Sequence, residues 1–82
     1  MIDVRTPEEF REGHVRDAIN IPLGQVVDDI AKQVPDRERV LLLHCLSGGR
    51  SGIATQQLRR LGYTRVFNLG SLSRAQSIVE AR

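Results

Sequence analysis

The segment Val40–His44 constrains the fold of this chain most strongly, because four consecutive apolar residues precede the histidine. A continuous apolar run without polar alternation is typical of a strand covered on both faces, as in a parallel sheet. The run is far shorter than the roughly 20 apolar residues of a membrane-spanning helix, so we expect no membrane insertion. We therefore predict that Val40–His44 is the central strand of the fold.

Other segments predict strands and helices that alternate around this strand. Thr6, Pro7 and Glu9 predict a helix start, because Thr6 can cap the helix, Pro7 suits its first position and Glu9 completes a capping box. Gly13 ends this helix. Further strands are predicted at Ile2–Val4, Ala18–Ile21 and Val66–Leu69, and further helices at residues 27–34, 51–61 and 71–81. The alternation indicates an α/β fold with a central, mostly parallel sheet that is flanked by helices on both faces.

The helical segments also predict which side chains face the core. The second helix has an apolar stripe at helical spacing, formed by Val27, Ile30, Ala31 and Val34. The third helix is expected to turn three residues inward, namely Ala54, Leu58 and Leu61. Pro35 ends the second helix, Gly62 caps the C-terminus of the third, and Ser71 is expected to cap the last.

Length and composition limit the classes of function. The 82 residues allow a single domain, 1–82, which we expect to be a monomer. The formal net charge is only +2 and the chain has three aromatic residues, so we expect no nucleic-acid partner and at most a weak preference for small anions. The single cysteine excludes an internal disulfide, and no Cys and His cluster has the spacing of a zinc site.

The loop after the central strand carries the predicted chemistry. Cys45 follows the strand directly, and ligands of open α/β sheets bind beyond the carboxyl ends of the strands. Two adjacent glycines, Gly48 and Gly49, allow the six residues from Cys45 to Arg50 to curl. Successive N–H groups then point at one centre and, together with the start of the next helix, form an anion site.

Such a loop makes Cys45 a candidate nucleophile. Helix N-terminal amides and a nearby guanidinium can lower the pKa of a thiol from about 8.5 to about 3.5–7.5. Arg50 offers a planar set of donors to an oxyanion, and Ser51 is expected either to donate to the sulfur or to cap the helix. An isolated free cysteine is more commonly an inert core residue. The combination of strand, cysteine, small-residue loop, arginine and helix favours a thiolate that faces an anionic substrate.

Four other polar residues have structural interpretations. Asp3, at the end of the first strand, is expected to accept hydrogen bonds from the backbone or from an arginine. Arg5 is expected to form an ion pair or to add positive charge over the cleft, and His14 to tie its turn to the backbone. His44 is expected on the face of the sheet opposite to Cys45, because adjacent side chains of a strand alternate.

Several segments together resemble the signature of the rhodanese family. They are Asp3-Val4-Arg5-Thr6-Pro7-Glu8-Glu9-Phe10, Gly13-His14-Val15, Ala18-Ile19-Asn20-Ile21-Pro22, Cys45-Leu46-Ser47-Gly48-Gly49-Arg50-Ser51 and Leu61-Gly62-Tyr63 followed by Val66. The resemblance spans nearly the whole chain, and the chain looks most like the compact bacterial phage-shock-protein E class of thiosulfate sulfurtransferases.

The resemblance implies an α/β fold and a persulfide on Cys45. The sulfane sulfur would come from thiosulfate or a similar small anionic donor and pass to an external thiol or to cyanide, with no metal or organic cofactor. The resemblance assigns the cradle of the outer sulfur to the backbone amides of Leu46, Ser47, Gly48, Gly49, Arg50 and Ser51. It also assigns Arg50 to holding the donor anion.

Two features depart from the family pattern. Many members have an extra strand and helix before the Asp-Val-Arg motif, whereas this sequence starts almost on it. Asp17 stands where the pattern has a glycine, which predicts a slightly altered turn. The sequence shows no export signal, so we expect a periplasmic protein if a leader has been removed and a cytoplasmic one otherwise.

Two alternative functions remain at this point. His44-Cys45 and Arg50 also resemble the His-Cys…Arg loop of tyrosine phosphatases, but four residues separate Cys45 from Arg50 here, whereas those loops have five. The shorter loop favours a lone sulfur over a phosphoryl group. The other alternative is a non-catalytic docking module, against which the intact Cys45 and Arg50 argue.

Overall fold

The computed structural model describes residues 1–80, and its helices and strands alternate as the sequence predicts. The strands are β1 (Ile2–Asp3), β2 (Ile19–Asn20), β3 (Leu41–His44) and β4 (Val66–Gly70). The helices are α1 (Pro7–Glu12), α2 (Val26–Gln33), α3 (Gly49–Arg60) and α4 (Leu72–Glu80), with a short 3-10 turn at Leu23–Gln25 before α2. The last helix was predicted to reach Ala81, which lies outside the described residues.

The four strands form one parallel sheet in the order β2-β1-β3-β4. Strand β3 therefore has a neighbour on each side, which confirms the prediction that the most apolar run is central. Its register with β4 shifts between Leu43 and His44, so that Leu43 lies opposite Asn68 and His44 opposite Gly70. This irregularity falls at the carboxyl end of β3, directly before Cys45.

Helices cover both faces of the sheet, so the predicted fold class is confirmed. Helices α2 and α3 cover one face, and the core there contains Ile2, Val4, Ile21, Val26, Ile30, Val34, Leu41, Leu43, Cys45, Ala54, Leu58, Tyr63 and Val66. Helices α1 and α4 cover the other face, around Val15, Ala18 and Ala75, with Met1, Phe10, Leu69, Leu72 and Val79 packed against them. No helix within residues 1–80 is long and apolar enough to cross a membrane.

The predicted apolar stripe of α2 is partly wrong. Ile30 and Val34 are buried as expected, but Val27 is 47% exposed and Ala31 also faces solvent. Val26 takes the inward position instead and is completely buried. The 3-10 turn before α2 sets the start of the helix so that Val26 packs against the sheet. The buried stripe is therefore Val26, Ile30 and Val34, at a spacing of four residues.

Several element boundaries also differ from the prediction by one or two residues. Val40 is 51% exposed and precedes β3 rather than belonging to it. Helix α3 starts at Gly49, two residues earlier than predicted, because Gly48 adopts a left-handed conformation and turns the chain into the helix at once. Of the three residues predicted to face inward from α3, Ala54 and Leu58 are fully buried and Leu61 only partly.

The short helix α1 follows its predicted capping pattern. The Thr6 hydroxyl accepts from the Glu9 N–H, and the Glu9 carboxylate accepts from the Thr6 N–H at 3.1 Å. Gly13 forms the C-terminal cap. Farther along, the turn from Val15 to Ala18 is closed by a 3.0 Å backbone hydrogen bond, and Asp17 has the positive φ of 67° that the family glycine would adopt easily.

Candidate active site

Cys45 lies at the base of the loop that joins β3 to α3. Its backbone N–H donates to the Gly70 carbonyl at 3.0 Å, which continues the pairing of β3 with β4 for one more residue. Only 1% of the residue is exposed, and its neighbours include the apolar core between the sheet and helices α2 and α3. The cysteine is therefore at the floor of the predicted cradle rather than at its rim.

The loop backbone turns its N–H groups toward the sulfur. The Gly48 N–H donates to Cys45 Sγ at 2.9 Å. The first intrahelical bond of α3 runs from the Gly52 N–H to the Gly48 carbonyl, so the preceding N–H groups at the start of the helix have no helical acceptor. They lie at Gly49, Arg50 and Ser51. N–H groups without a helical acceptor are the donors that the predicted anion site requires.

Hydrogen bonds from the loop lower the pKa of Cys45 to about 7. Burial is the largest single influence and acts to raise the pKa. It is outweighed by the hydroxyl of Ser51 and by the N–H groups of Ser51, Gly48 and Ser47, which stabilise the ionised sulfur. About half of the sulfur is therefore thiolate near neutral pH. An inert core cysteine would show the same burial but not this convergence of donors.

Ser51 occupies the third position of α3 and is not its cap, which corrects one of the two expectations for this residue. Its Oγ lies 3.5 Å from Cys45 Sγ and 2.7 Å from Asn68 Oδ1. The same Asn68 oxygen accepts from the Gly70 N–H at 2.9 Å. Since a hydroxyl has only one hydrogen to donate, Ser51 can support either Asn68 or the sulfur at a given moment.

The connection from β4 to α4 holds the loop from one side. The Leu72 N–H donates to the Leu46 carbonyl at 3.2 Å, and Ser47 forms an isolated bridge with Ser71. Gly48 is so close to this segment that a Cβ on it would lie 3.4 Å from the Gly70 Cα. The contribution of residues 68–72 was not predicted from the sequence. The available signal is weak, because it consists of an asparagine two residues before a glycine at the end of a strand.

Arg50 does not point freely into the cradle but forms an ion pair with Glu9. Its Nη1 donates to Glu9 Oε1 at 2.6 Å, and its Nη2 donates to Glu9 Oε2 at 3.0 Å. The pKa of Arg50 is raised, chiefly by this hydrogen bond and against the effect of burial, with a smaller contribution from Cys45. The sequence predicted Arg50 as an anion-binding group but did not identify its partner on α1.

Comparison with known proteins agrees with this fold. The family model for the rhodanese-like domain matches residues 1–76. The chain belongs to the rhodanese family. It is 46% identical over 71 residues to the thiosulfate sulfurtransferase PspE of Escherichia coli, a match that covers 87% of this chain and 68% of PspE.

Other rhodanese relatives extend the comparison. An uncharacterized Bacillus subtilis protein, YqhL, is 42% identical over 84% of this chain, which spans only 53% of that relative. The solved structure described as a rhodanese with anions from E. coli has a TM-score of 0.85 at 45% identity and covers 89% of this chain and 86% of its own. The human single-domain sulfurtransferase TSTD1 has a TM-score of 0.76 at 30% identity, covering 99% of this chain and 80% of its own.

In this rhodanese, the four other polar residues that the sequence singles out make structural hydrogen bonds. Asp3 is fully buried and accepts from Arg5 Nε and Nη2, at 3.0 and 2.7 Å. Arg5 also donates to the Gly13 carbonyl at 2.7 Å, so the pair ties β1 to the end of α1. His44 is buried with its Nδ1 3.1 Å from the Cys45 carbonyl oxygen, and His14 Nδ1 lies 2.8 Å from the Phe10 carbonyl.

A groove of about 320 Å³ lies beside the exposed side chain of Leu46. Among the residues that line it are Arg5, Glu9, Glu12, Gly13, Leu46 and Leu72. Within residues 1–80, no group of three or more His, Cys, Asp or Glu side chains could hold a metal ion. The chemistry available on the described side chains is that of one ionisable sulfur in a ring of N–H donors.

Proposed function

We propose that this chain is a thiosulfate sulfurtransferase in which Cys45 carries the sulfur. Family membership and the 46% identity to a named thiosulfate sulfurtransferase support the activity. The observation that carries the assignment to Cys45 is the 2.9 Å hydrogen bond from the Gly48 N–H to Sγ, in a loop whose other N–H donors lower the pKa of the thiol to about 7.

The reaction has two steps. The Cys45 thiolate attacks the outer sulfur of thiosulfate, a new S–S bond forms, and the bond to the sulfonate sulfur breaks. Sulfite leaves with the electron pair, and a persulfide remains on Cys45. An external acceptor, a thiolate or cyanide, then attacks the outer sulfur and regenerates the thiolate. Such a covalent route predicts ping-pong kinetics.

The loop N–H groups have a different task in each step. Before the reaction they stabilise the negative charge on Cys45 Sγ, and after it they stabilise the same charge on the outer sulfur of the persulfide. We assign this cradle to the backbone of Leu46, Ser47, Gly48, Gly49, Arg50 and Ser51. Because the chain has no second cysteine, the acceptor is a separate molecule.

The test is intact-mass measurement before and after treatment with thiosulfate. The expected result is an added mass of one sulfur atom, which cyanide removes as thiocyanate. Cys45→Ala and Cys45→Ser are expected to abolish both the adduct and the transfer to cyanide. Ser73→Ala is a matched control on the exposed surface of α4 and should behave as the unaltered chain. Sulfur transfer by Cys45→Ser would contradict the assignment.

The near-complete burial of Cys45 favours a second candidate, a non-catalytic docking module. A docking module predicts no sulfur adduct after thiosulfate treatment and no transfer to cyanide at any pH. The same samples test the phosphatase alternative with an aryl phosphate. We expect no appreciable turnover there, because the four residues between Cys45 and Arg50 form a loop one residue shorter than that of the tyrosine phosphatases.

A further inference from the structure

An ion pair connects the active-site loop to the first helix, 41 residues away in the sequence. The two terminal nitrogens of Arg50 donate in parallel to the two carboxylate oxygens of Glu9, which is the strongest geometry for such a pair. The side chains are 35% and 28% exposed, so the pair lies at the rim of the site. Of the guanidinium donors, Nε–H and the outer N–H groups are left for a reactant.

Glu9 is fixed by a second set of contacts. Its Oε1 accepts from the Thr6 N–H and from the Thr6 hydroxyl, both at 3.1 Å, as part of the capping box of α1. Hydrogen bonds from Arg50 first and from the Thr6 backbone second lower the pKa of Glu9 to about 2. The carboxylate is therefore ionised throughout the pH range in which Cys45 becomes a thiolate.

The consequence is a cancellation of charge beside the sulfur. Arg50 is the second residue of α3, directly after the loop that begins at Cys45, and the sulfur makes a smaller contribution to the raised pKa of its guanidinium. A free guanidinium at this position would attract anions strongly, but a carboxylate 2.6 Å from Arg50 opposes that attraction. The affinity of the loop for a negative group then depends mainly on its backbone N–H donors.

We propose that Glu9 is a positioning residue that sets charge specificity: by holding and neutralising Arg50, it limits the preference of Cys45 for anionic over neutral reaction partners. The sulfur-transfer consequence rests on the proposed function. Arg50 paired with Glu9 is expected to attract thiosulfate less strongly than an unpaired Arg50 would. Neutral partners are therefore expected to react with Cys45 as well. Glu9 makes no hydrogen bond to the sulfur and acts through Arg50.

The test compares two alkylating reagents of nearly equal size, anionic iodoacetate and neutral iodoacetamide. With each, Cys45 Sγ forms a bond to carbon while iodide leaves with the electron pair, so the measurement does not depend on sulfur transfer. The ratio of the two rate constants reports the charge that a reactant meets at Cys45. In Glu9→Gln, which keeps an acceptor for the capping box, the ratio is expected to rise about threefold to tenfold.

Glu8→Gln provides the matched control. It removes the same charge from the neighbouring position of α1, where Glu8 is 71% exposed and lies 3.7 Å from Arg11. Its ratio should stay within about twofold of the unaltered chain, because solvent screens exposed charges. The same change is also made in a chain that already carries Arg50→Gln. There, Glu9→Gln is expected to leave the ratio of the two rate constants almost unchanged, or to raise it by less than it does when Arg50 is present.

Three outcomes would overturn the inference. An unchanged ratio in Glu9→Gln would show that the pair does not control charge at Cys45. An equal rise with and without Arg50 would show that Glu9 acts on the reactant directly. Failure of Cys45 to react with either reagent would overturn both this inference and the proposed function.

Two further measurements keep the inference separate from folding and from sulfur transfer. If Glu9→Gln does not fold, Glu9→Asp replaces it, because the shorter side chain keeps the charge but cannot reach both nitrogens of Arg50. A smaller rise in the ratio of the two rate constants is then expected, and no rise would overturn the inference. With thiosulfate, Glu9→Gln is expected to lower KM about threefold to tenfold with little change in kcat. A raised alkylation ratio without any sulfur transfer would sustain the inference and refute the proposed function.

Discussion

The hydroxyl of Ser51 is the side-chain group that most strongly favours ionisation of Cys45, although its closest acceptor is Asn68. When the sulfur ionises, the hydroxyl hydrogen gains a charged acceptor at 3.5 Å in place of the neutral one at 2.7 Å. Ser51→Ala is therefore expected to raise the pKa of Cys45 by about one unit. The pH dependence of the iodoacetamide reaction measures this pKa.

Ser47→Ala is the matched control for that experiment, because Ser47 lowers the pKa of Cys45 through its backbone N–H and not through its hydroxyl. Its alkylation profile should coincide with that of the unaltered chain. If both variants shift the profile equally, the effect comes from a general loosening of the loop and not from the Ser51 hydroxyl.

Asp17 illustrates a local cost that the sequence pattern already indicates. Its φ of 67° lies in the left-handed region, which costs an L-residue roughly 1–2 kcal/mol relative to right-handed backbone. Asp17→Gly is expected to increase the free energy of unfolding by up to about 1 kcal/mol, since glycine adopts this conformation without the penalty but loses more entropy on folding. Urea unfolding measures the difference, and Asp17→Ala should shift it in the opposite direction.

At the level of elements, the junction between the loop and β4 depends on Gly48. Its φ of 110° lies in the region that residues with a side chain rarely adopt, and a Cβ there would be in contact with the Gly70 Cα at 3.4 Å. Gly48→Ala is expected to reduce the free energy of unfolding by about 1–2 kcal/mol and to raise the pKa of Cys45, because the N–H at 2.9 Å from Sγ moves away.

Gly49→Ala offers a sharp comparison, since Gly49 is the first residue of α3 and a Cβ there meets nothing within 4 Å. This variant is expected to be neutral or slightly stabilising, because alanine has the higher helix propensity. Equal losses of stability in the two variants would contradict the special role given to Gly48.

The elements differ in how far local sequence determines them. The start of α1 could be predicted because Thr6, Pro7 and Glu9 are adjacent and make their contacts within one turn. The phase of α2 could not, because the 3-10 turn before it decides which valine faces the sheet. The pairing of Arg50 with Glu9 could not be predicted either, because nothing in the spacing of residues 9 and 50 indicates that α1 lies beside the loop.

At the scale of the whole molecule, the fold class and the position of Cys45 follow from one physical rule. A short strand made mostly of apolar residues is typical of the centre of a parallel sheet, and the loop at its carboxyl end lies at the edge where ligands of open α/β sheets bind. The contacts between residues 68–72 and the loop do not follow from this rule, because they depend on the register shift between β3 and β4. The sequence thus determines the site's location, and long-range packing determines its geometry.

The Glu9–Arg50 pair also makes the stability of the whole chain depend on pH. The pKa of Glu9 is about 2 in the folded chain and 4.5 without the fold, so folding favours the ionised carboxylate. Its contribution is fully present above about pH 4.5 and is lost as the pH falls toward 2. Urea unfolding measures the free energy of unfolding of the unaltered chain and of Glu9→Gln. The difference between the two free energies should be constant near neutral pH and should shrink between pH 4.5 and 2. Comparing the two cancels the other carboxylates, and curves that stay parallel down to pH 2 would show that the pair contributes nothing to folding.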